Sequence, residues 1–301
     1  MPWLQLSFDA NRDSAEALED ALLDVGAAAV TLQDNADQPL YEPGLNERPV
    51  WNLTRVTGLF DATTDMPSTL AALAAAYDHD LPAQRLEILE DKDWEREWMT
   101  HYHPIQCGQR LWVCPSWREP VDSQAVNLKL DPGLAFGTGT HPTTFLCLGW
   151  LDSQTLDMEH VVDYGCGSGI LGIAALLLGA REVTAIDNDP QALVATRDNL
   201  QRNALADDRL HCYLPEQAPK PAEHRADVVV ANILAGPLVE LAPKLAAYLL
   251  PGGRIVLSGI LLEQASTITE RYSTWFEDLK TEEKEGWCCI SGIRNSTNAD
   301  G

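Results

Sequence analysis

Three glycines stand two apart in "DYGCGSGILG", residues 163–172: Gly165, Gly167 and Gly169. An apolar run, "EHVVDY", precedes them and a helix-forming run, "GILGIAALLLG", follows, so they fall on a strand-to-helix turn. Glycine takes backbone angles other residues avoid and lets a ligand approach the main chain. The amides opening the next helix then face a polar or anionic group. Such a loop holds a cofactor, or it is a tight turn and nothing more. A strand-end acid favours the first reading. Asp187 closes the following apolar run, "VTAID". An acid about 20 residues beyond such a loop accepts ribose hydroxyls in related folds. The spacing also bears on which cofactor. Dinucleotide sites carry GxGxxG; here the third glycine comes one position early and Ile170 occupies its place.

Two further stretches carry chemistry. "GLAFGTGTHPTT", residues 133–144, is a second glycine-rich loop close to the first, with His141 and Thr144 near its end. "VVVANILAGP" ends an apolar run in Asn232. That asparagine either meets a ligand or caps a helix starting at Pro237.

These residues need elements to hold them. The first ninety positions read strand, helix, strand, strand, helix, strand. "WLQLSF" alternates, "DSAEALEDALLDVGA" has helical spacing with Gly26 as its stop, and "AAVTLQD" is a strand. A loop "QPLYEPGLNERP" precedes the strand "VWNLTRVTGLF", the helix "MPSTLAALAAAYDH" and the strand "QRLEILE". That βαββαβ order is the ferredoxin-like pattern. Residues 91–104 form a connector in which Asp93 caps a short helix, Trp94 and Trp98 share a face, and Pro104 ends it. "RLWVCPSW" and "AVNLKLDP" are short strands, and from "EHVVDY" onward strands and helices alternate as in a mainly parallel sheet with helices on both faces. "FEDLKTEEKEG" and "WCCISGIRN" close it with an antiparallel pair, and the polar tail, residues 296–301, is expected to be disordered.

Composition excludes several classes. With 45% hydrophobic residues in 301, the chain can bury a core. No apolar run approaches the roughly 20 residues a bilayer span requires. The start, "MPWLQLSFDANRD", lacks the basic and continuously apolar character of a secretory signal, so a cytoplasmic protein is expected. Seven cysteines without CxxC spacing argue against a disulfide framework or a metal cage. A net charge of -24 repels nucleic acid and suits a basic partner, unless it serves only solubility.

The form D-x-G-x-G-x-G, Asp163 to Gly169, resembles motif I of the class I methyltransferases that use S-adenosylmethionine. Asn232 lies where amino-group methyltransferases place an asparagine to receive the substrate nitrogen. Their usual motif is Asn-Pro-Pro-Tyr or Asp-Pro-Pro-Tyr. This chain reads Asn-Ile-Leu-Ala and lacks the aromatic that flanks a planar base. Together, "LDPGLAFGTGTHPTT", "DYGCGSGILGIAA", "AIDNDPQA" and "VVVANILAGP" resemble the bacterial PrmA family, methyltransferases of the large-subunit ribosomal protein L-eleven. "MPWLQLSFDA" and "LEDKDWEREWM" are similar to it too, and the likeness runs to about Asn295.

The resemblance implies an α/β fold: a Rossmann-like class I methyltransferase domain over residues 105–295 and a smaller α+β ferredoxin-like domain over 1–90 that recognises the substrate. It implies S-adenosylmethionine contacts at Thr144, Gly165, Asp187 and Asn232, with Phe136, Gly137, Thr138 and His141 as neighbours. "GTGTHPTT" becomes a second wall of the cofactor site, which is why two glycine loops lie so close together. Asn232 is the catalytic candidate, orienting a lysine or N-terminal amine through its side-chain carbonyl. No metal is needed, and a water chain or His141 takes the proton. The partner is a basic ribosomal protein, with no nucleic acid or membrane, and the enzyme is expected to be a monomer. Rival readings are a methyltransferase of another protein, a nucleic acid or a small molecule, a nicotinamide oxidoreductase, and a catalytically dead interaction protein. The missing Pro-Pro-Tyr and the acidic charge oppose the nucleic acid, and the GxGxG spacing opposes the oxidoreductase. Intact Gly165, Gly167, Asp187 and Asn232 oppose the dead protein.

Overall fold

The computed structural model describes residues 2–36, 51–77, 80–89, 102–131, 140–221 and 223–296. The chain divides into two compact units, Met1–Met99 and Thr100–Gly301.

The first unit runs β1 (Trp3–Asn11), α1 (Arg12–Asp24), β2 (Ala29–Asp34), β3 (Leu53–Asp61), α2 (Met66–Ala76) and β4 (Gln84–Leu89). Its sheet has the order β2-β3-β1-β4, every neighbour antiparallel, so the βαββαβ expectation becomes a split-βαβ sheet. Alternation in β1 sends Leu6, Phe8 and Ala10 inward and leaves Asp9 and Asn11 outside. Asn11 then opens α1: its Oδ1 accepts from the Ser14 amide at 3.0 Å, and the Ser14 hydroxyl accepts from the Asn11 amide at 3.2 Å. This reciprocal cap satisfies two helix-end amides. Leu18 and Leu22 of α1 bury fully with Phe8 and Phe60, each such side chain contributing about 1.5–3 kcal/mol. Gly26 follows α1 at φ 98°, as a helix stop requires.

The second unit opens with a small sheet of β5 (Ile105–Gln106), β6 (Leu111–Cys114) and β7 (Val126–Lys129). Then come α3 (Pro142–Ser153), β8 (His160–Tyr164), α4 (Ile170–Leu177), β9 (Glu182–Ile186) and α5 (Pro190–Arg202). β10 (Leu210–Tyr213), β11 (Ala226–Asn232), α6 (Ala235–Tyr248) and β12 (Leu249–Leu261) follow, and α7 (Ala265–Tyr272), β13 (Phe276–Lys284) and β14 (Trp287–Arg294) complete the unit. The large sheet has the order β10-β9-β8-β11-β12-β14-β13. Its first five strands are parallel, and β14 is antiparallel to both of its neighbours. β8 is buried along its whole length, as a central parallel strand covered on both faces must be. One apolar cluster gathers α3, α4 and α5 on one side of the sheet, and another gathers α6 and α7 on the other. The strand order reverses between β8 and β11, and the crevice beyond the carboxyl ends of those strands is where such sheets bind ligands.

One element departs from the sequence reading. Residues 142–153 form helix α3, whereas the end of "GTGTHPTT" reads as loop. The loop at 38–49, the connector with Trp94 and Trp98 up to residue 101, Phe136, Gly137 and Thr138, and residues 297–301 lie outside the described residues. Among the described residues no helix is long and apolar enough to cross a membrane.

Candidate active site

The first glycine loop leaves β8 at Tyr164 and enters α4 at Ile170. Gly165, Gly167 and Gly169 all sit at positive φ. At Gly165 the requirement is double: φ is 78°, and a Cβ there would run into the Ile233 side chain. The Gly165 amide donates to the Ile186 carbonyl at 2.7 Å, tying the loop to the end of β9. From behind, α5 holds it. The Thr196 hydroxyl donates to the Gly167 carbonyl at 3.1 Å and the Asn199 amide to the Ser168 carbonyl at 2.8 Å. Both side chains are buried. Sequence reasoning missed this pair; its signal was two polar residues three apart on the inward face of an amphipathic helix.

Asp187 follows β9 directly. Its Oδ2 accepts from the Gly167 amide at 2.8 Å and its Oδ1 from the Asp189 amide at 3.0 Å. The strand-end acid and the glycine loop are therefore one unit, and each carboxylate oxygen keeps a lone pair for a further donor.

Asn232 ends β11. It does not cap the helix that follows: α6 begins at Ala235, its N-cap is Leu234, and no side chain caps it. Instead the Asn232 Nδ2 donates to the Thr144 hydroxyl at 3.2 Å, across 88 positions of sequence. That bond fixes the amide's orientation. It leaves the buried Oδ1 without a hydrogen-bond partner among the described residues. A buried carbonyl in that state calls for a partner.

Thr144 is fully buried on the first turn of α3, which His141 caps. The His141 Nδ1 accepts from the Thr143 amide at 3.3 Å and lies 2.7 Å from the Thr143 hydroxyl. Its ring packs edge-on against Trp287, with centroids 4.9 Å apart. Burial lowers its pKa, against a smaller opposing pull from Glu285. His141 therefore has a structural task, which an isolated histidine in a loop would not.

Asp163 completes the arrangement. It is wholly buried, and its Oδ2 accepts from the Gly172 amide at 2.8 Å. Its Oδ1 has no partner among the described residues. Burial pushes its pKa up to about 7, the Gly172 amide opposes that, and the charge of Asp187 adds to it. Asp163 pairs in register with Val230, so Asn232 stands level with Gly165 across the switch point. Thr144, Gly165, Asp187 and Asn232 are thus brought together by three links: Asn232 to Thr144, the Ile233 side chain over Gly165, and Asp187 to Gly167. Two buried carboxyl and amide oxygens on neighbouring strands, those of Asp163 and Asn232, have no partner among the described residues. No group of His, Cys, Asp and Glu that would hold a metal exists among the described residues.

A doubly wound sheet ending in an antiparallel hairpin, with a GxGxG loop after its first strand and an acid closing its second, is that of a class I methyltransferase, whose methyl donor is S-adenosylmethionine. The chain belongs to the family described as ribosomal protein L11 methyltransferase (PrmA), which it matches over residues 2–295. It is 55% identical over 294 residues to the "Ribosomal protein L11 methyltransferase" of Cellvibrio japonicus (strain Ueda107), covering 98% of this chain and 99% of that one. The protein of that name from Teredinibacter turnerae (strain ATCC 39867 / T7901) is 54% identical over 296 residues, covering 98% of each. Among solved structures, the ribosomal protein L11 methylase of Lactobacillus delbrueckii subsp. bulgaricus is 32% identical with a TM-score of 0.57, covering 64% of this chain and all of that one.

Proposed function

We propose that this chain methylates amines, lysine side chains or the N-terminal amine, of the large-subunit ribosomal protein L11. In this reading Thr144, Gly165, Asp187 and Asn232 hold S-adenosylmethionine. Residues 1–90 hold the protein substrate. The observation that carries the reading is the Asn232 Oδ1 at the switch point, oriented by Thr144 and without a hydrogen-bond partner among the described residues. An amine N–H donated to that oxygen leaves the nitrogen lone pair free for attack. Bound there, S-adenosylmethionine would supply an activated methyl to that nitrogen, its sulfur keeping the electron pair of the broken S–C bond, and the amine proton would leave to water.

A lysine amine titrates near 10.4 in water, so it must arrive deprotonated or lose its proton in the pocket. Burial against Asn232 and the apolar Ile233 favours the neutral amine, because desolvation penalises the charged form. Charge supports a basic partner. The first 99 residues carry 20 Asp and Glu against 6 Lys and Arg. Opposite potentials speed encounter and suppress wrong partners.

Calorimetry tests the cofactor. The chain binds S-adenosylmethionine and its demethylated product and gives no heat with NAD; binding of NAD alone would refute the assignment. A second experiment tests the division of labour. A chain starting at Tyr102 retains every glycine-loop and strand-end residue, so it binds S-adenosylmethionine as the full chain does. At modest substrate concentration it fails to methylate the ribosomal protein. Full-rate methylation by the folded shortened chain would show that residues 1–90 are not the recognition unit.

A further inference from the structure

Asn232 is the last residue of β11 in register with β12, opposite Ser258. The residue after Ser258 is Gly259, at φ 85°. Here β12 is irregular. Its ladder with β14 pairs Leu257 with Ile290 and then Ile260 with Cys288, so three steps on β12 answer two on β14. The extra residue makes a β-bulge with a left-handed glycine, a device that bends a strand and re-aims what lies beside it. The buried Ser258 hydroxyl donates to the Cys288 carbonyl at 2.8 Å and holds the bulge to β14.

The bulge presses on the backbone next to Asn232. A Cβ on Gly259 would collide with the Ile233 carbonyl oxygen, and it would stand 2.7 Å from the Ile233 carbonyl carbon and 3.2 Å from its nitrogen. These are main-chain atoms, which cannot swing aside as a side chain does. On the other flank the Ile233 side chain covers Gly165 so closely that a Cβ there has no room. Ile233 is thus seated between two glycines, one meeting its side chain and the other its peptide group.

We infer that Gly259 is a positioning residue for methyl transfer: its bulge sets the depth of the Ile233 peptide and so the place of the Asn232 amide against Thr144. The inference rests on the role of Asn232 proposed above. Gly259 touches neither substrate nor cofactor in this account. It acts through Ile233 and Asn232.

Gly259→Ala tests it, with Gly252→Ala as the control. Gly252 lies on the same strand at φ 79°, but a Cβ there meets nothing within 4 Å. Both variants carry the left-handed strain, and only the first carries the contact. Gly259→Asn adds a third reading, because asparagine tolerates left-handed angles while still bringing a Cβ. The measurements are thermal midpoint, S-adenosylmethionine affinity by calorimetry, and kcat and KM for methylation of the ribosomal protein. Gly259→Ala and Gly259→Asn are expected to lower kcat by about thirtyfold or more, with KM within about threefold of the parent chain and a loss of cofactor affinity, through Asn232, well short of the loss in kcat. Gly252→Ala keeps kcat within about twofold. Three results overturn the inference: parental kcat in a folded Gly259 variant, cofactor affinity that falls as far as kcat, or failure of both Gly259 variants to fold, which makes the glycine merely structural. A parent chain that binds S-adenosylmethionine yet never methylates the ribosomal protein removes the functional reading itself, and the inference with it.

Discussion

Replacing Asn232 with alanine lowers kcat for methylation of the ribosomal protein by about a hundredfold, while KM for that protein changes by less than about threefold. The size follows from what is lost. The amide is the buried acceptor at the strand switch point, and Thr144 fixes which way it faces. Misplacing a reacting nitrogen by about an ångström costs on the order of a hundredfold. Asn232→Asp sharpens the test. A carboxylate there holds the amine as its ammonium, which has no lone pair to offer, and raises the pH at which the amine becomes neutral. The aspartate variant is therefore slow at neutral pH and recovers as pH rises, whereas the alanine variant does not recover. A kcat in the alanine variant within about twofold of the parent would end the assignment of Asn232 to the chemistry.

Asp187→Ala reduces S-adenosylmethionine affinity at least about tenfold with folding nearly intact. Hydrogen bonds to a charged group are worth about 1.5–3 kcal/mol each, and about 1.4 kcal/mol is tenfold in affinity. The structure adds a second route to the same loss. The carboxylate that would meet the ribose also accepts the Gly167 amide, so its removal frees the glycine loop as well. Asp187→Asn keeps one carbonyl for Gly167 and falls between alanine and the parent. An unchanged dissociation constant in the alanine variant would make Asp187 an ordinary strand-end acid.

Much of this site was legible because its signals are local. Gly165, Gly167 and Gly169 announce a turn that only glycine fits, and Asp187 closes an apolar run at a fixed distance. The antiparallel hairpin of β13 and β14 was equally legible from its short apolar run beside a charged one. Helix α3 was not. Thr143, Thr144, Leu146, Cys147, Leu148 and Leu151 are all buried, so it shows no polar face and no helical stripe. A sequence that opens Pro-Thr-Thr-Phe after a glycine-rich stretch reads as more loop. The setting of Asn232 was half legible. Its type and place were plain, but its partner Thr144 is joined to it only by the fold, and a helix read as starting at Pro237 begins at Ala235 instead. Gly259 was hidden for the same reason. A glycine inside "IVLSGIL" looks incidental until the Ile233 backbone is seen against it.

The position of β14 has a consequence for how the parts of one wall are spread along the chain. This strand, residues 287–294, lies in the sheet between β12 and β13, and helix α3 rests on both β12 and β14. Trp287 backs the ring of His141, and the Lys284 ammonium lies 5.0 Å from the Phe145 ring. The helix that carries Thr144 is therefore seated in part on strands that come far later in the sequence. Without residues 284–294, β12 has an open edge and the helix that carries Thr144 loses part of its support. A chain cut before that point keeps Thr144, Gly165, Asp187 and Asn232 and still leaves α3 short of its seat.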